Sequence, residues 1–182
     1  MTEFALVAPI LFALVFGIFD FGRGMSANVT VTNSSREGAR YLATHATSWQ
    51  SPGRTGSSAA EGRFNNSCYG TGTGNNVPAP NSDSPQGKAW AQLQGASLTL
   101  SSVTMIVRFY ASNNDPTATG AVANDTFTCS AAVISESNSS YTPQSGDWVQ
   151  FEVQYHYAPV TPIISSVWHS ISMDQTTTMV LE

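Results

Sequence analysis

Few residues in this sequence are spaced in a way that could support catalysis. The three histidines, His45, His156 and His169, lie far apart and form no recognisable set of metal ligands. The chain contains no G-x-S-x-G nucleophile motif, no P-loop and no G-x-G-x-x-G phosphate loop. We therefore expect no catalytic residues, no cofactor and no metal, and the sequence favours a function other than an enzyme. A calcium ion bound in a loop is the open alternative, although no D-x-D-x-D-G series occurs among the loop aspartates Asp83, Asp115, Asp125 and Asp147.

Two cysteines are the next residues with chemical potential. Cys68 lies in a glycine-rich stretch and Cys129 in a predicted strand. In an oxidising compartment two cysteines form one bridge. The bridge would enclose about 60 residues and stabilise the fold by roughly 4 kcal/mol in the chain-entropy model. Two free thiols are the alternative, whereas the absence of C-x-x-C spacing argues against a metal site.

Three charged residues border an apolar stretch near the N-terminus, and these are the best candidates for controlling assembly. Glu3 precedes the stretch, and an isolated carboxylate beside apolar residues is costly to bury. Its nearest cation would be an α-amino group, either its own or that of an adjacent copy, and pairing between copies would set their register. A solvated Glu3 at a membrane surface is the alternative. Asp20 and Arg23 follow the stretch and are three residues apart, so they could pair within the helix or between neighbouring helices.

The apolar stretch itself, Phe4 to Phe19, reads FALVAPILFALVFGIF and contains no polar side chain in 16 residues. As a helix it is about 24 Å long, whereas a membrane span needs roughly 20 residues. It is therefore a marginal anchor, suited to a segment that can leave the membrane again. A signal peptide, a buried core helix and a permanent single-span anchor are the alternatives. The side chains predicted to pack against other helices once the segment leaves the membrane are Phe4, Leu6, Val7, Leu11, Leu14 and Phe16.

Composition and charge restrict the partners. The chain has 182 residues, a net charge of −5 and only 10% charged residues. Its six arginines and single lysine are scattered, so a nucleic-acid surface is excluded. No lysine or arginine precedes the apolar stretch, and Arg23 follows it. The positive-inside rule would then place Arg23 in the cytoplasm, whereas the remainder, rich in Ser and Thr, is typical of an extracytoplasmic domain. The two signals agree if a basic leader once preceded Met1 and was removed.

Helical periodicity continues beyond the apolar stretch. Small and apolar residues recur at spacings of four and three, which predicts one helix from about residue 2 to 49. These residues are Ser35, Ala39, Leu42, Ala46 and Trp49. Pro9, Gly17 and Gly22 weaken this helix, and we expect a kink or a stretched segment within residues 17–24. Residues 50–87 are rich in glycine and proline and predict a long loop. A short helix is expected at 88–94.

Alternation of period two predicts about four strands in the C-terminal half. The inward faces are expected to be Val103, Met105, Val107 and Phe109; Phe127, Cys129, Ala131 and Val133; Val149, Phe151, Val153, Tyr155 and Tyr157; and Ile171, Met173, Thr177, Met179 and Leu181, the last set interrupted at Gln175. Strands with one apolar face form an antiparallel sheet that needs a cover. The striped second half of the long helix can supply it, so the predicted fold is α+β, a long helix packed against an antiparallel sheet.

Three blocks of this sequence carry a family resemblance. The first is EFALVAPIL followed by FGIFDFGR, from Glu3 to Arg23; the second is REGARYLA, residues 36–43; the third is VQFEVQYHYAPVT, residues 149–161, with the terminal MVLE. Together they resemble the TadE-like pilins, of the tight-adherence branch of the type IV pilus superfamily. The resemblance implies a carboxylate at about the fifth position of the mature chain, where this sequence has Glu3. It also implies prepilin peptidase and an ATP-driven inner-membrane assembly machinery as partners.

Together these observations favour a structural pilin-like subunit. Residues 1–25 are predicted to be a transmembrane and filament-core helix, and residues 26–182 an extracellular head that includes the 50–87 loop. The helix would first lie in membrane lipid of the inner membrane and then pack with identical subunits in an extracellular filament on a bacterial surface. The alternative function is a minor subunit, initiating or at the tip, or a membrane-anchored adhesin that binds through the 50–87 loop.

Overall fold

A computed structural model describes residues 2–44, 85–94, 98, 102–130, 133–138, 141–159, 161 and 170–182. The elements are α1 (Thr2–Thr44), α2 (Pro85–Gln94), β1 (Val103–Tyr110), β2 (Asp125–Ser130), β3 (Val133–Glu136), β4 (Trp148–Tyr157) and β5 (Ile171–Val180). A long N-terminal helix thus packs against a C-terminal antiparallel sheet, which confirms the predicted α+β fold.

The first helix is continuous over 43 residues, a length of about 64 Å. It passes through Pro9 and through residues 17–24 without interruption, so the stretched segment that we expected there is absent. The predicted helical residues 45–49, including Ala46 and Trp49, lie outside the described residues.

The C-terminal half of α1 buries one stripe against the sheet. Its buried residues recur at helical spacing: Ala27, Val31, Ser35, Ala39 and Leu42. The sequence predicted the last three of them. Gly38 lies where the helix approaches the sheet most closely, because a Cβ atom there would be 2.7 Å from the ring of Phe151. The backbone amide of Glu182 donates to the carbonyl of Ala43 at 3.0 Å and so satisfies a carbonyl in the last turn of the helix.

The second helix begins earlier than predicted. Pro85, Gln86 and Gly87, which we placed in the long loop, form its first turn and are buried. Proline suits this position because the first turn of a helix needs no amide donor. The hydroxyl of Ser34 in α1 donates to the carbonyl of Ala89 in α2 at 2.9 Å, which links the two helices. The rest of the predicted 50–84 loop lies outside the described residues.

The described strands form one antiparallel sheet in the order β3-β2-β1-β4-β5. Two predictions about its strands were wrong. The segment that we extended through Ala131 to Val133 is two strands, because Ser130 pairs with Val133 across a hairpin and β3 follows. The last strand is not interrupted at Gln175, which pairs with Val153 of β4.

The core lies between the two helices and the inward face of the sheet, and α1 itself packs against β4, β5 and α2. Every predicted inward residue of the central strands β1 and β4 is buried, from Val103 to Phe109 and from Val149 to Tyr157. Val107 of β1 is aligned with Phe127 on one side and with Phe151 on the other, so large side chains meet in one layer. The edge strand β5 is less buried, and Ile171 at its start is 42% exposed.

Candidate assembly surface

The N-terminal half of α1 projects beyond the folded head. From Val7 to Phe19 every described side chain is exposed except for the half-buried Ala8 and Gly17. The large apolar members of this segment, which we call the apolar rod, are Val7, Ile10, Leu11, Phe12, Leu14, Val15, Phe16, Ile18 and Phe19. Within the described residues, α1 is the one helix long and apolar enough to cross a membrane. An apolar surface of this size marks a membrane or protein contact.

The predicted filament-core residues lie on this rod where the structure describes them. Val7, Leu11, Leu14 and Phe16 are between 51% and 60% exposed. The rings of Phe12 and Phe16 stack along the helix with their centroids 6.4 Å apart. Phe4 and Leu6 lie in α1, but their side chains are outside the described residues, as is the side chain of Glu3. The proposed pairing of Glu3 therefore stays a prediction.

Asp20 marks the end of the apolar rod. Its side chain is only 7% exposed, and its Oδ2 atom accepts a hydrogen bond from the backbone amide of Thr161 at 3.0 Å. Its backbone carbonyl accepts from the hydroxyl of Tyr157 at 3.1 Å. Both donors follow or end β4, so Asp20 attaches the helix to the head.

Arg23 is exposed, and Asp20 and Arg23 do not form an ion pair between themselves in the described structure. The pairing within the helix that we considered is therefore not observed. Asp20 instead accepts the hydrogen bond from Thr161, and the charge of Arg23 acts on the hydroxyls of Tyr155 and Tyr157. A role for either residue in setting the register between copies stays a prediction.

An apolar groove of about 300 Å³ lies beside Asp20, between α1 and the near ends of β4 and β5. We call it the junction groove. Its walls are Gly17, Asp20, Phe21, Gly24, Met25 and Asn28 from the helix, and Tyr157, Pro159, Ile171 and Met173 from the head. Burial raises the pKa of the Tyr157 hydroxyl, and the charge of Asp20 raises this pKa further. No pattern in the sequence indicated the groove, because its two walls are about 130 residues apart in the chain.

The small residues of α1 differ in their surroundings. A Cβ atom at Gly17 or Gly22 would have no neighbour within 4 Å, whereas one at Gly24 would be 3.8 Å from the ring of Tyr157. Pro9 is exposed within the rod. A role for Pro9, Gly17 and Gly22 in helix flexibility stays a prediction.

The remaining candidates lie in the head. Cys129 is 1% exposed on β2, and no free cysteine occurs among the described residues. Cys68 lies outside those residues, so the predicted bridge between the two stays a prediction. His156 is exposed on β4, while His45 and His169 lie outside the described part. That part contains no group of three or more His, Cys, Asp or Glu side chains that could hold a metal ion.

Two aspartates that we placed in loops are buried and hold the turns. Asp125 begins β2, and its Oδ1 atom accepts from the amides of Thr126 and Asn138. Asp147 accepts from the amides of Ser112 and Gln144 and from the hydroxyl of Tyr141. These carboxylates therefore stabilise the turns at one end of the sheet by accepting hydrogen bonds.

The fold and this surface define a class of protein, an α+β head carried on a helix that is able to span a membrane. The particular family is indicated by a comparison with protein families, in which residues 1–40 match the family described as TadE-like protein. The resemblance that we drew from the N-terminal residues is thereby confirmed over this segment. No curated protein and no solved structure matches the chain. The family match and the apolar helix agree with a membrane-anchored, pilus-associated protein.

Proposed function

We propose that this protein is a structural subunit that polymerises through α1 into an extracellular pilus filament. The observation that carries the proposal is the contrast within one helix. Residues 7–19 expose apolar side chains all round, whereas the stripe from Ala27 to Ala43 is packed against the protein's own sheet. The rod is therefore available to other molecules while the head is complete without them.

The apolar side chains of the rod must be covered by lipid or by protein at every stage. Burial of apolar surface stabilises by about 25 cal/mol per Å² relative to water, so the rod cannot stay in water. Before assembly, the cover is the lipid of the inner membrane. Transfer of the rod from lipid to a filament gives little of this stabilisation. The complementary shapes of the helices and the pairing of their charges must therefore decide how they pack. Exposed side chains surround the helix, so several neighbouring copies can contact it at once.

Charge pairing at Glu3 is the proposed source of register. Its carboxylate would meet the α-amine of an adjacent subunit, or Arg23 of another copy, which is exposed here. The other proposed partners are prepilin peptidase and the inner-membrane assembly machinery, as the family resemblance implies.

The experiment that tests the proposal places a charge on the rod. Leu14→Asp and Phe16→Asp are expected to abolish fibres, because a carboxylate between apolar helices is costly to bury. The head should fold normally in both variants, since Leu14 and Phe16 are 59% and 51% exposed on the rod. Val122→Asp is the matched control, because Val122 is an apolar residue that is 75% exposed on the head. Fibre yield is measured by electron microscopy and by sedimentation of sheared material.

Fibre yield and copy number together decide between the functions. Loss of fibres for both rod variants, with normal fibres for the control, supports the proposal. Normal fibres from either rod variant contradict it. The number of copies per fibre, measured by quantitative mass spectrometry, separates the main subunit from an initiating subunit, a tip subunit or an adhesin, which would be present in only a few copies.

A Cys68–Cys129 bridge is part of the same proposal, because the head would lie in an oxidising compartment. It would connect the 50–87 region to β2. Intact-mass measurement after alkylation, with and without prior reduction, tests it, and alkylation of both thiols without reductant would show that the bridge is absent.

A further inference from the structure

We propose that, before assembly, the head rests directly on the bilayer, with lipid acyl chains in the junction groove and lipid phosphates at Arg23. This inference rests on the membrane stage of the proposed function. It adds a second membrane contact, made by the head and the base of the helix, to the contact made by the apolar rod.

The first argument is the length of the rod. The 16 residues from Phe4 to Phe19 span about 24 Å, at 1.5 Å per residue, whereas the hydrocarbon core is about 30 Å thick. The shortfall of roughly 6 Å corresponds to about four more residues of helix. A hydrocarbon core whose far edge lies at Phe4 therefore extends to about Arg23, which is the level of the junction groove.

The second argument is the placement of Asp20. In the sequence, this carboxylate ends the apolar stretch, and a charge facing lipid would be costly there. In the structure it faces the head, where the amide of Thr161 donates to it. Beyond Asp20, the exposed surface of α1 therefore still carries two large apolar side chains, Phe21 and Met25, which are 70% and 53% exposed.

The third argument is the composition of the groove and its rim. Its walls are mainly apolar, and Ile171 at the start of β5 is exposed beside them. Arg23 is exposed at the same level of α1. An arginine at the end of a span extends its guanidinium to the headgroup layer, where phosphates are its natural partners.

The other candidate occupant is the helix of a second copy, which would cover Phe21 and Met25 equally well. Asp20 of that copy would be buried against its own head, so the second helix could offer Arg23 only Glu3, the pairing proposed for the assembled filament. Before assembly, lipid phosphates are the partners within reach of Arg23. The apolar surface together with the cation therefore favours a bilayer.

The experiment uses the full chain in vesicles of phosphatidylethanolamine and phosphatidylglycerol. A photoreactive p-benzoylphenylalanine replaces one residue at a time: Met25 and Ile171 at the groove, Leu14 on the rod and Val122 on the head loop. Mass spectrometry after illumination detects lipid adducts, and gel electrophoresis detects cross-linked copies. We expect lipid adducts at 14, 25 and 171 and only background at 122.

The controls separate failure of this inference from failure of the proposed function. Lipid adducts at 14 without adducts at 25 and 171 would overturn the inference and leave the membrane anchor intact. Cross-linked copies in place of lipid adducts at 25 and 171 would also overturn it, in favour of contact between subunits. Absence of lipid adducts at 14 would show that the rod itself is not in the membrane, and both proposals would then fail.

Discussion

Buried carboxylates make the most specific contacts of single residues in this protein. Asp147 is 7% exposed and accepts hydrogen bonds from two backbone amides and from Tyr141. The carboxylate therefore joins the turn after β1, the segment before β4 and the hydroxyl of Tyr141. Hydrogen bonds to a charged acceptor are stronger than those between neutral groups, each contributing about 1.5–3 kcal/mol.

The ionisation of the Tyr141 hydroxyl should make the free energy of unfolding depend on pH. Burial raises its pKa above the ordinary value of 10.0, and the hydrogen bond to Asp147 and the charge of that carboxylate raise it further. In the unfolded chain the hydroxyl loses its proton near pH 10, whereas the folded chain retains it. The stabilisation that comes from the raised pKa of Tyr141 is therefore complete below pH 10 and is lost as the pH rises through the higher pKa of the folded state.

Urea unfolding in detergent micelles at a series of alkaline pH values tests this prediction. The free energy of unfolding should fall above pH 10, and the fall should be smaller for Tyr141→Phe. At neutral pH the same substitution should lower the free energy of unfolding by about 1–3 kcal/mol, because it removes the donor to Asp147. An equal alkaline loss in both proteins would contradict the assignment.

At the scale of elements, the contact between α1 and the sheet depends on a glycine. A Cβ atom at Gly38 would approach three atoms of the Phe151 ring to 2.7–2.8 Å. No such contact exists at Gly22 on the same helix. The two glycines therefore provide a matched pair in which helix propensity is the same and packing differs.

Gly38→Ala is expected to destabilise the head and Gly22→Ala to stabilise it slightly. Alanine favours a helix over glycine by about 1 kcal/mol, but overpacking costs about 1–3 kcal/mol. Urea unfolding in detergent micelles measures both variants. Phe151→Leu in the Gly38→Ala background should recover part of the loss if the ring is the obstacle. Equal stability changes for the two glycine variants would contradict the predicted close approach.

At the scale of the whole molecule, the head should fold without the apolar rod. Asp20 is the first buried side chain in the described part of α1, so removal of residues 1–19 leaves the buried stripe, both sheet faces and the contact with α2 in place. The truncated chain should be a soluble monomer, while the full chain needs detergent. Size-exclusion chromatography with light scattering measures the oligomeric state, and circular dichroism measures folding. An unfolded or aggregated truncated chain would show that the rod contributes to the fold of the head.

The sequence by itself determined the elements and their inward faces. Period-two alternation in Val103–Phe109 and Val149–Tyr157 identified the buried faces of β1 and β4, and the stripe of Ser35, Ala39 and Leu42 identified the sheet-facing side of α1. These predictions succeeded because burial on one face imposes the period of the element on the pattern of apolar residues. The uninterrupted apolar composition of Phe4–Phe19 predicted the exposed rod for a similar reason, since no other segment of the chain could cover it.

The tertiary structure alone decided the partners of the polar residues. Spacing suggested that Asp20 would pair with Arg23, yet Asp20 accepts from Thr161, which is 141 positions away in the chain. The same reason explains three features that the sequence did not predict: the hairpin between β2 and β3, the continuity of β5 at Gln175 and the burial of Asp125. A carboxylate or an amide can be satisfied by any donor that the fold brings near it. Local pattern therefore predicts which side of an element is buried, but the contacts across the junction groove exist only once β4 and β5 have packed beside α1.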